Sequence, residues 1–230
     1  ARKRDVIVVT INYRLGVFGW FSSDFIRETS SGLDKTSNFG HLDIIEALNW
    51  TNRNIKSFGG NPDNITVFGE SAGGHNVLTL LASPLAKGLF EKAISQSGYV
   101  QTHSVDFATK NSELSSEKIF EEDIKYLTDT QEIVSFLRNL SSEQVYNKYI
   151  STAEAHPYPI TPISVRDDIV IPKEGLYKSL ENIDPNLVVI AGTNRDEMNY
   201  WYIRSDYFFD TTLELRRSPV SYTHLRAHET

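Results

Sequence analysis

The chain has 230 residues, of which 40% are hydrophobic and 23% charged, proportions that suit a soluble α/β domain with a sizeable core. Its formal net charge of -7 argues against nucleic acid as the main partner, because phosphate binding needs a basic surface. It has no cysteine, which excludes a disulfide framework and a thiolate metal site and fits a reducing compartment or a bacterial protein. The longest strongly apolar run, Val6 to Ile11, is far too short to span a bilayer.

The first hundred residues alternate between strand-like and helix-like patterns. Val6 to Asn12 is apolar and β-branched, which is typical of a strand buried on both faces. Short apolar runs predict two more strands, and apolar residues at helical spacing predict two helices, in the order helix His41 to Ser57, strand Ile65 to Phe68, helix Ala72 to Ala82 and strand Lys92 to Gln96. This alternation predicts a mostly parallel sheet with helices on both faces.

The middle of the chain has a different pattern. Asn111 to Leu127 and Gln131 to Leu140 are amphipathic and charged, which predicts helices outside the sheet. Ala155 to Ile163 carries three prolines and is expected to be a loop. Leu187 to Ala191 is again apolar and predicts a buried strand. The sequence therefore predicts one α/β domain with a helical insertion.

A serine lies between two glycines at the junction of a predicted strand and a predicted helix, in the stretch Gly69-Glu70-Ser71-Ala72-Gly73. This context is typical of a nucleophile elbow, a turn so tight that glycine is needed on both sides of the serine. The turn would expose the serine hydroxyl above the carboxyl end of the sheet. The N–H of Ala72, at the helix start, could then stabilise an oxyanion. A chance match to the five-residue pattern is the alternative.

Three longer segments resemble the type-B carboxylesterase family, which includes cholinesterases and bacterial esterases acting on nitrobenzyl esters. They are "VTINYRLGVFGWF", "NFGHLDIIEALNWTNRNIKSFGGNPDNITVFGESAGG" and "GLFEKAISQSG", and the resemblance resumes at "GTNRDE". It implies an α/β-hydrolase fold, incomplete at both ends of this chain, and ester cleavage through a Ser-acid-His triad.

The resemblance also implies roles for single residues. Ser71 is the nucleophile, Ala72 gives one backbone oxyanion donor, and Glu70 belongs to a hydrogen-bonding shell behind the nucleophile. Glu197 falls where the family has its triad glutamate, although Met198 follows it where the family usually has glycine. From the residues alone, Glu197 is a loop carboxylate after a strand, and the adjacent Asp196 could serve equally well.

The histidine of the triad is harder to place. In this fold it follows the serine and the acid along the chain, which disfavours His41, His75, His103 and His156. His41 is expected at a helix start, and His75 in packing or in the surroundings of the site. Only His224 and His228 follow Glu197, and the glycine that the family places three residues before its histidine is replaced by Ser221.

The two ends of the chain carry further expectations. Residues Val220 to Thr230, "VSYTHLRAHET", look like a translated sequencing adapter, so the predicted domain covers residues 1–219 and residues 220–230 form a non-native tail. The glycine-rich loop that the family places before its "NYRLG" segment is absent from the first residues. The chain by itself is therefore expected to be inactive.

The leading prediction is a serine hydrolase that cleaves carboxylic esters, with a small-molecule ester as its partner. A neuroligin-like adhesion protein of the same fold is the alternative from another class, and retention of Ser71 and Glu197 favours the enzyme. Another serine hydrolase, such as a peptidase or lipase, fits the "NYRLG" and "FGGNP" segments poorly. No metal cluster, phosphate loop or dinucleotide fingerprint occurs, so no cofactor or metal is predicted. The sequence does not indicate the ester, the oligomeric state or the compartment.

Overall fold

In a computed structural model of the chain, residues 5–111, 115–154 and 164–197 are described. The chain divides into two compact units, Ala1–Gly192 and Thr193–Thr230. The strands and helices below all belong to the first unit. The predicted loop at Ala155 to Ile163 and the predicted tail at Val220 to Thr230 lie outside the described residues.

The central sheet of the first unit has three parallel strands. The strands of the described chain are β1 (Thr66–Glu70), β2 (Lys92–Gln96), β3 (His103–Ser104), β4 (Val165–Arg166) and β5 (Val188–Gly192). The strand order in the central sheet is β1-β2-β5, and a separate two-stranded sheet pairs β3 with β4. Val67 of β1 stands opposite Ala93 of β2, which stands opposite Val189 of β5.

Nine α-helices are found in the described part of the chain, most of them short. They are α1 (Gly16–Gly19), α2 (Asp24–Thr29), α3 (Phe39–Asn54), α4 (Ala72–Ala82), α5 (Ser116–Ile119), α6 (Glu121–Ile124), α7 (Thr130–Asn139), α8 (Ser142–Glu154) and α9 (Leu176–Ser179). Helix α4 packs against both β1 and β2 and also contacts α3, so it is the element that joins sheet and helices.

The main core lies between the sheet and these helices. Its buried members come from α3, β1, α4, β2, α9 and the segment before α9, and include Ile44, Leu48, Val67, Val77, Leu80, Ala93, Val170, Ile171 and Leu176. On the opposite face of the sheet, Phe68 and Ile190 are 62% and 60% exposed. The described residues therefore cover one face of the sheet and leave apolar side chains on the other face in contact with solvent.

A second core lies among the helices of the insertion. Val17 of α1 packs there with side chains from α5 to α8: Ile119, Phe120, Ile124, Ile133, Leu137 and Tyr149. The glutamate of α5, Glu117, is buried and accepts hydrogen bonds from the Ser23 hydroxyl at 3.0 Å and the Asp24 N–H at 2.6 Å. The insertion is thus attached to the start of α2 through both apolar packing and a buried carboxylate.

Asp167, the residue after β4, forms hydrogen bonds to the residues that precede α3. Its Oδ2 atom accepts hydrogen bonds from the Thr36 hydroxyl, from the Ser37 N–H at 3.1 Å and from the Asn38 side chain at 2.8 Å. The Asn38 side chain also pairs with both backbone groups of Val165, at 2.7 and 2.9 Å. These bonds fix residues 164–167 beside α3, and that position matters for the site described below.

Helix α4 and strand β2 have the predicted bounds, and α3 and α7 lie within a few residues of theirs. The predicted strand at Val6 to Asn12 is wrong, because this segment forms neither strand nor helix and Val6 and Val8 are 53% and 52% exposed. An apolar cavity of about 980 Å³ separates it from β1. A β-branched run favours extended backbone, but a strand also requires a partner at hydrogen-bonding distance.

Two other sequence predictions need correction. The helix expected from Asn111 to Leu127 is instead the two one-turn helices α5 and α6, preceded by a π-helical turn at Phe107–Asn111; residues 112–114 lie outside the described part. The strand predicted at Leu187 to Ala191 forms as β5, one residue later in the chain. The prediction that this strand is buried is wrong. Among the described strands β5 pairs only with β2, and its Val188 side chain is 56% exposed.

Candidate active site

Ser71 occupies the turn between β1 and α4. Its backbone has φ 55° and ψ -115°, a combination outside the regions that residues with a side chain normally adopt. The Ser71 N–H donates to the Gln96 carbonyl at the end of β2, at 2.9 Å, and the Ser71 carbonyl accepts from the His75 N–H at 2.9 Å. The strained backbone is held on both sides, as a nucleophile elbow requires.

The two glycines that flank the serine have different roles. A Cβ on Gly69 would lie 2.4 Å from the carbonyl carbon and oxygen of Gly73, so strand and helix could not approach with any side chain there. Among the described residues, a Cβ on Gly73 would meet no atom within 4 Å apart from its chain neighbours and the backbone of its own helix. The expectation that both glycines are needed to relieve the clash is therefore correct for Gly69 and wrong for Gly73.

The hydroxyl of Ser71 does not cap the helix that it precedes. A serine at this position commonly accepts a hydrogen bond from the second or third helical N–H, but no such bond forms here. Ser71 is partly exposed, and Ala72, the first residue of α4, is exposed. The first N–H groups of a helix have no acceptor within the helix, so the start of α4 presents donors beside the serine.

Glu70, the last residue of β1, has an exposed side chain. Within the described residues its carboxylate has no hydrogen-bond or ion-pair partner. Its expected membership of a hydrogen-bonding shell behind the nucleophile stays a prediction.

Glu197 belongs to the second unit, of which residues 193–197 are described. Its Oε2 atom accepts hydrogen bonds from the Thr193 hydroxyl at 2.5 Å and from the Asn194 N–H at 2.9 Å, so the carboxylate is held by its own turn. The neighbouring Asp196 is exposed, and Met198 lies outside the described residues. The structure does not relate Glu197 to Ser71, and its triad role stays a prediction.

His41 is the third residue of α3, at the helix start as predicted, and is fully buried. Its Nε2 lies 3.1 Å from the Asn76 Oδ1 atom, which can only accept, so Nε2 carries the proton. Nδ1 is buried without a hydrogen-bond partner among the described residues. Burial lowers the pKa of His41 to about 3, helped by the nearby His75. His41 is therefore neutral at physiological pH and is a buried residue of the core.

His75 of α4 is also buried, as expected for a packing role. Its Nδ1 lies 2.6 Å from the Tyr99 carbonyl and its Nε2 lies 2.6 Å from the Ser164 Oγ atom. A carbonyl only accepts, so Nδ1 donates and Nε2 accepts from the Ser164 hydroxyl. Burial lowers the pKa of His75, and the bond to Tyr99 opposes this shift. With both nitrogens engaged, His75 is not a free base for Ser71.

The other four histidines give no base within the described site. His103 lies in β3, is partly buried and stacks on Phe107 with ring centres 4.5 Å apart. His156, His224 and His228 lie outside the described residues. In the described ranges no group of three or more histidine and acidic side chains could hold a metal ion. Among the helices described there, none is long and apolar enough to cross a membrane.

The residues of other segments that bond to Ser71 and His75 were not predicted from the sequence: Gln96, Tyr99 and Ser164. Their contacts join positions far apart in the chain, such as His75 and Ser164, which are separated by 89 residues. Local periodicity carries no signal for such pairs. The positive φ of Ser97, 51°, in the segment after β2 was not predicted from the sequence either.

The parallel sheet and the turn at Ser71 are those of the α/β-hydrolase fold, and the comparisons identify the family. The family model described as "Carboxylesterase family" matches residues 1–221. The chain belongs to this carboxylesterase family. The match extends two residues into the segment predicted to be a non-native tail, so a domain boundary at residue 219 stays a prediction.

Individual relatives agree with this assignment. Carboxylesterase 1E of Rattus norvegicus is 37% identical over 205 residues, covering 85% of this chain and 35% of that protein. Para-nitrobenzyl esterase of Bacillus subtilis (strain 168) is 36% identical over 200 residues, covering 86% of this chain and 38% of that protein. The chain thus spans little more than a third of the length of these relatives.

Solved structures give the same fold. A PNB esterase superimposes with a TM-score of 0.70 at 35% identity, covering 84% of this chain and 39% of that one. A carboxylesterase of Geobacillus stearothermophilus gives a TM-score of 0.73 at 29% identity, covering 93% of this chain and 44% of that one. The predicted α/β-hydrolase fold is confirmed. The neuroligin-like alternative finds no support in these comparisons.

Proposed function

We propose that this chain carries the nucleophile of a carboxylic ester hydrolase, and that Ser71 forms the acyl-enzyme. The observation that carries the proposal is the strained backbone of Ser71 between β1 and α4, with a hydroxyl that makes no capping bond. In the reaction, a base removes the hydroxyl proton as Oγ attacks the ester carbonyl, and the alcohol leaves with that proton. Water then attacks the acyl-serine and releases the acid.

The oxyanion formed during attack would be stabilised by the Ala72 N–H. Ala72 begins α4, whose first N–H groups and helix dipole favour negative charge beside the serine. Loss of one such donor typically costs about 10²–10³ in rate.

Glu197 is proposed to orient the catalytic imidazole and balance its charge. What supports this is its carboxylate, already held by the Thr193 hydroxyl and the Asn194 N–H, and the match of "GTNRDE" to the family. Glu70 is proposed to act behind the nucleophile.

The base is not proposed to be His41 or His75. The first is buried with a pKa lowered to about 3, and the second has both ring nitrogens hydrogen-bonded. His224 and His228, the two histidines after Glu197, lack the family's preceding glycine. The 230-residue chain alone is therefore expected not to turn over activated esters, and removal of residues 220–230 is expected to leave this unchanged.

The substrate is proposed to be a small carboxylic ester. The para-nitrobenzyl esterase of Bacillus subtilis supports this choice by its name, and p-nitrophenyl and p-nitrobenzyl esters are suitable test substrates. The described residues do not select among acyl or alcohol groups.

The test is hydrolysis of p-nitrophenyl acetate by a protein that carries this chain at the full length of its relatives. Ser71→Ala should abolish turnover, and Glu197→Gln should lower kcat by about 10⁴, the loss typical for the orienting acid of a triad, with little change in KM. Asp196→Asn is the matched control. If Asp196→Asn is the impaired variant, the acid is misassigned by one residue; if Ser71→Ala keeps full activity, the proposal fails.

A further inference from the structure

The buried ring of His75 connects three segments of the chain. His75 lies one turn after Ser71 on α4, and its own N–H donates to the Ser71 carbonyl at 2.9 Å. Its Nδ1–H donates to the Tyr99 carbonyl at 2.6 Å, and its Nε2 accepts from the Ser164 hydroxyl at 2.6 Å. The side chain is 3% exposed, so both bonds are shielded from water.

The segment that contains Tyr99 also touches the nucleophile. At its start the Gln96 carbonyl accepts the Ser71 N–H at 2.9 Å. A Cβ on Gly74 would lie 2.7 Å from that carbonyl oxygen and 2.9 Å from the Gly98 Cα, so this segment and the first turn of α4 are in backbone contact. The Tyr99 ring stacks on the His75 ring with centres 4.4 Å apart and planes within 12°.

Ser164, which bonds to the Nε2 atom of His75, is itself held in place by other contacts. Ser164 is 2% exposed and precedes Val165, whose N–H donates to the Asn38 side chain at 2.9 Å. The Ser164 Oγ atom also lies 3.5 Å from the His41 Nε2 atom. The backbone at residue 164 is therefore held by α3 independently of His75.

We propose that His75 is a positioning residue for the nucleophile: its imidazole ties Tyr99 and Ser164 to α4 and thereby holds the Gln96 carbonyl against the Ser71 N–H. A neutral imidazole suits this place because it donates at one nitrogen and accepts at the other. The lowered pKa of His75 keeps the ring in this form at neutral pH. The consequence for catalysis rests on the proposed role of Ser71, whereas the consequence for the backbone of the turn does not.

Two substitutions test the two hydrogen bonds of the His75 ring separately. His75→Asn places an amide donor near the position of Nδ1 and can keep the bond to Tyr99, whereas His75→Gln extends toward Ser164 and loses the bond to Tyr99. His103→Asn is the control, because the His103 ring stacks on Phe107 and its contact with Ser164 is a backbone N–H bond to the Ser164 carbonyl, which the substitution keeps.

Hydrogen exchange on the 230-residue chain is the first test. In His75→Gln we expect amide exchange to rise about 10-fold or more at Ser71 and at residues 97–99, while α3 and α7 exchange as in the wild type, because opening of the turn becomes local. His75→Asn should show a smaller rise than His75→Gln, because it keeps the bond to Tyr99 and loses the bond to Ser164, and His103→Asn should stay near wild type. Unchanged exchange at Ser71 in a folded His75→Gln variant would overturn the proposal, as would an equal rise throughout the chain.

Nitrogen-15 NMR of the wild-type imidazoles tests the proposal even where a variant fails to fold. We expect the His75 signals of a neutral ring protonated at Nδ1; a ring protonated at Nε2 would overturn it. In a catalytically active protein that carries this chain, His75→Gln should lower kcat by about 10²-fold with KM nearly unchanged, and His75→Asn should recover most of the loss. Exchange and NMR need no turnover, so failure of the proposed esterase function would leave their outcomes unchanged.

Discussion

At the scale of single residues, the backbone of Ser71 is the feature on which the site depends. A residue with a side chain held at φ 55° and ψ -115° is strained, typically by about 1–3 kcal/mol. The strain persists because the Gln96 carbonyl and the His75 N–H hold the turn from both sides.

The strain at Ser71 can be measured. Ser71→Gly should stabilise the chain by about 0.5–2 kcal/mol, because glycine adopts positive φ without cost although it also gains entropy in the unfolded state. Ser71→Ala keeps the strained backbone and should leave stability within about 0.5 kcal/mol. Urea unfolding followed by circular dichroism compares the two. Equal stability of the glycine and alanine variants would contradict strain at this position.

The buried histidines predict how stability depends on pH. The folded chain resists protonation of His41 until about pH 3, whereas the unfolded chain takes up that proton near pH 6.5. The unfolded state therefore binds more protons between these values, so stability should fall with decreasing pH, by about 1.4 kcal/mol per pH unit for each such proton. His75 and the partly buried His103 act in the same direction.

Unfolding free energies at pH 7.0, 6.5, 6.0, 5.5 and 5.0 would check this dependence. We expect His41→Gln to have a lower free energy of unfolding at pH 7. Below pH 6.5 that free energy should fall less steeply with decreasing pH than in the wild type, by the slope that corresponds to about one proton. The carboxylates with lowered pKa values, Asp24, Asp43 and Glu46, lose their protons well below this window and do not interfere. A His41→Gln slope equal to that of the wild type would show that His41 titrates freely in the folded chain.

At the scale of elements, the junction of β1 and α4 sets how closely a strand and a helix can pack. The approach is limited at Gly69, where an added Cβ would overlap the Gly73 backbone. The two glycines of the serine motif are therefore unequal in structure, although the sequence pattern treats them alike.

Alanine substitution at each glycine tests this difference. Gly69→Ala should destabilise the chain by about 2–4 kcal/mol, because strand and helix must move apart at a packed contact. Gly73→Ala should be neutral or stabilise by up to about 1 kcal/mol, because alanine is the better helix former and its Cβ meets no atom. Thermal unfolding of both variants is the measurement. Equal destabilisation by both substitutions would contradict the packing described here.

The accuracy of the sequence predictions also varied by element. The bounds of α4 and β2 could be predicted because the apolar spacing, Pro84 and the turn residues that set them lie within a few positions. The state of Val6 to Asn12 could not, because its strand pairing would depend on β1, more than fifty residues away. The position of Ser71 between a strand and a helix could be predicted from local sequence, whereas its bond to Gln96 and the hydrogen bonds of His75 depend on tertiary packing.

At the scale of the whole molecule, the described residues leave a large apolar surface in contact with water. Phe68, Val188 and Ile190 lie on the uncovered face of the sheet, and β1 and β5 each pair only with β2 among the described strands. Apolar faces and free strand edges of this kind promote association between chains.

Self-association of the 230-residue chain should therefore grow with concentration in the micromolar range. Ile190→Lys should reduce it by placing a charge on the uncovered face, whereas Tyr126→Lys, at an 84% exposed position away from the sheet, should not. Size-exclusion chromatography with light scattering measures both. A chain that stays monomeric at all concentrations, or an equal effect of the two substitutions, would show that the uncovered face is not the cause.

The role proposed for Ser71 is that of the nucleophile in a carboxylic ester hydrolase. Its most direct measurement is reaction of a fluorophosphonate with an active protein that carries this chain, followed by digestion and mass spectrometric mapping of the label. We expect one label per chain on Ser71, and no label after Ser71→Ala. Stoichiometric label on any other residue of the active protein would contradict it.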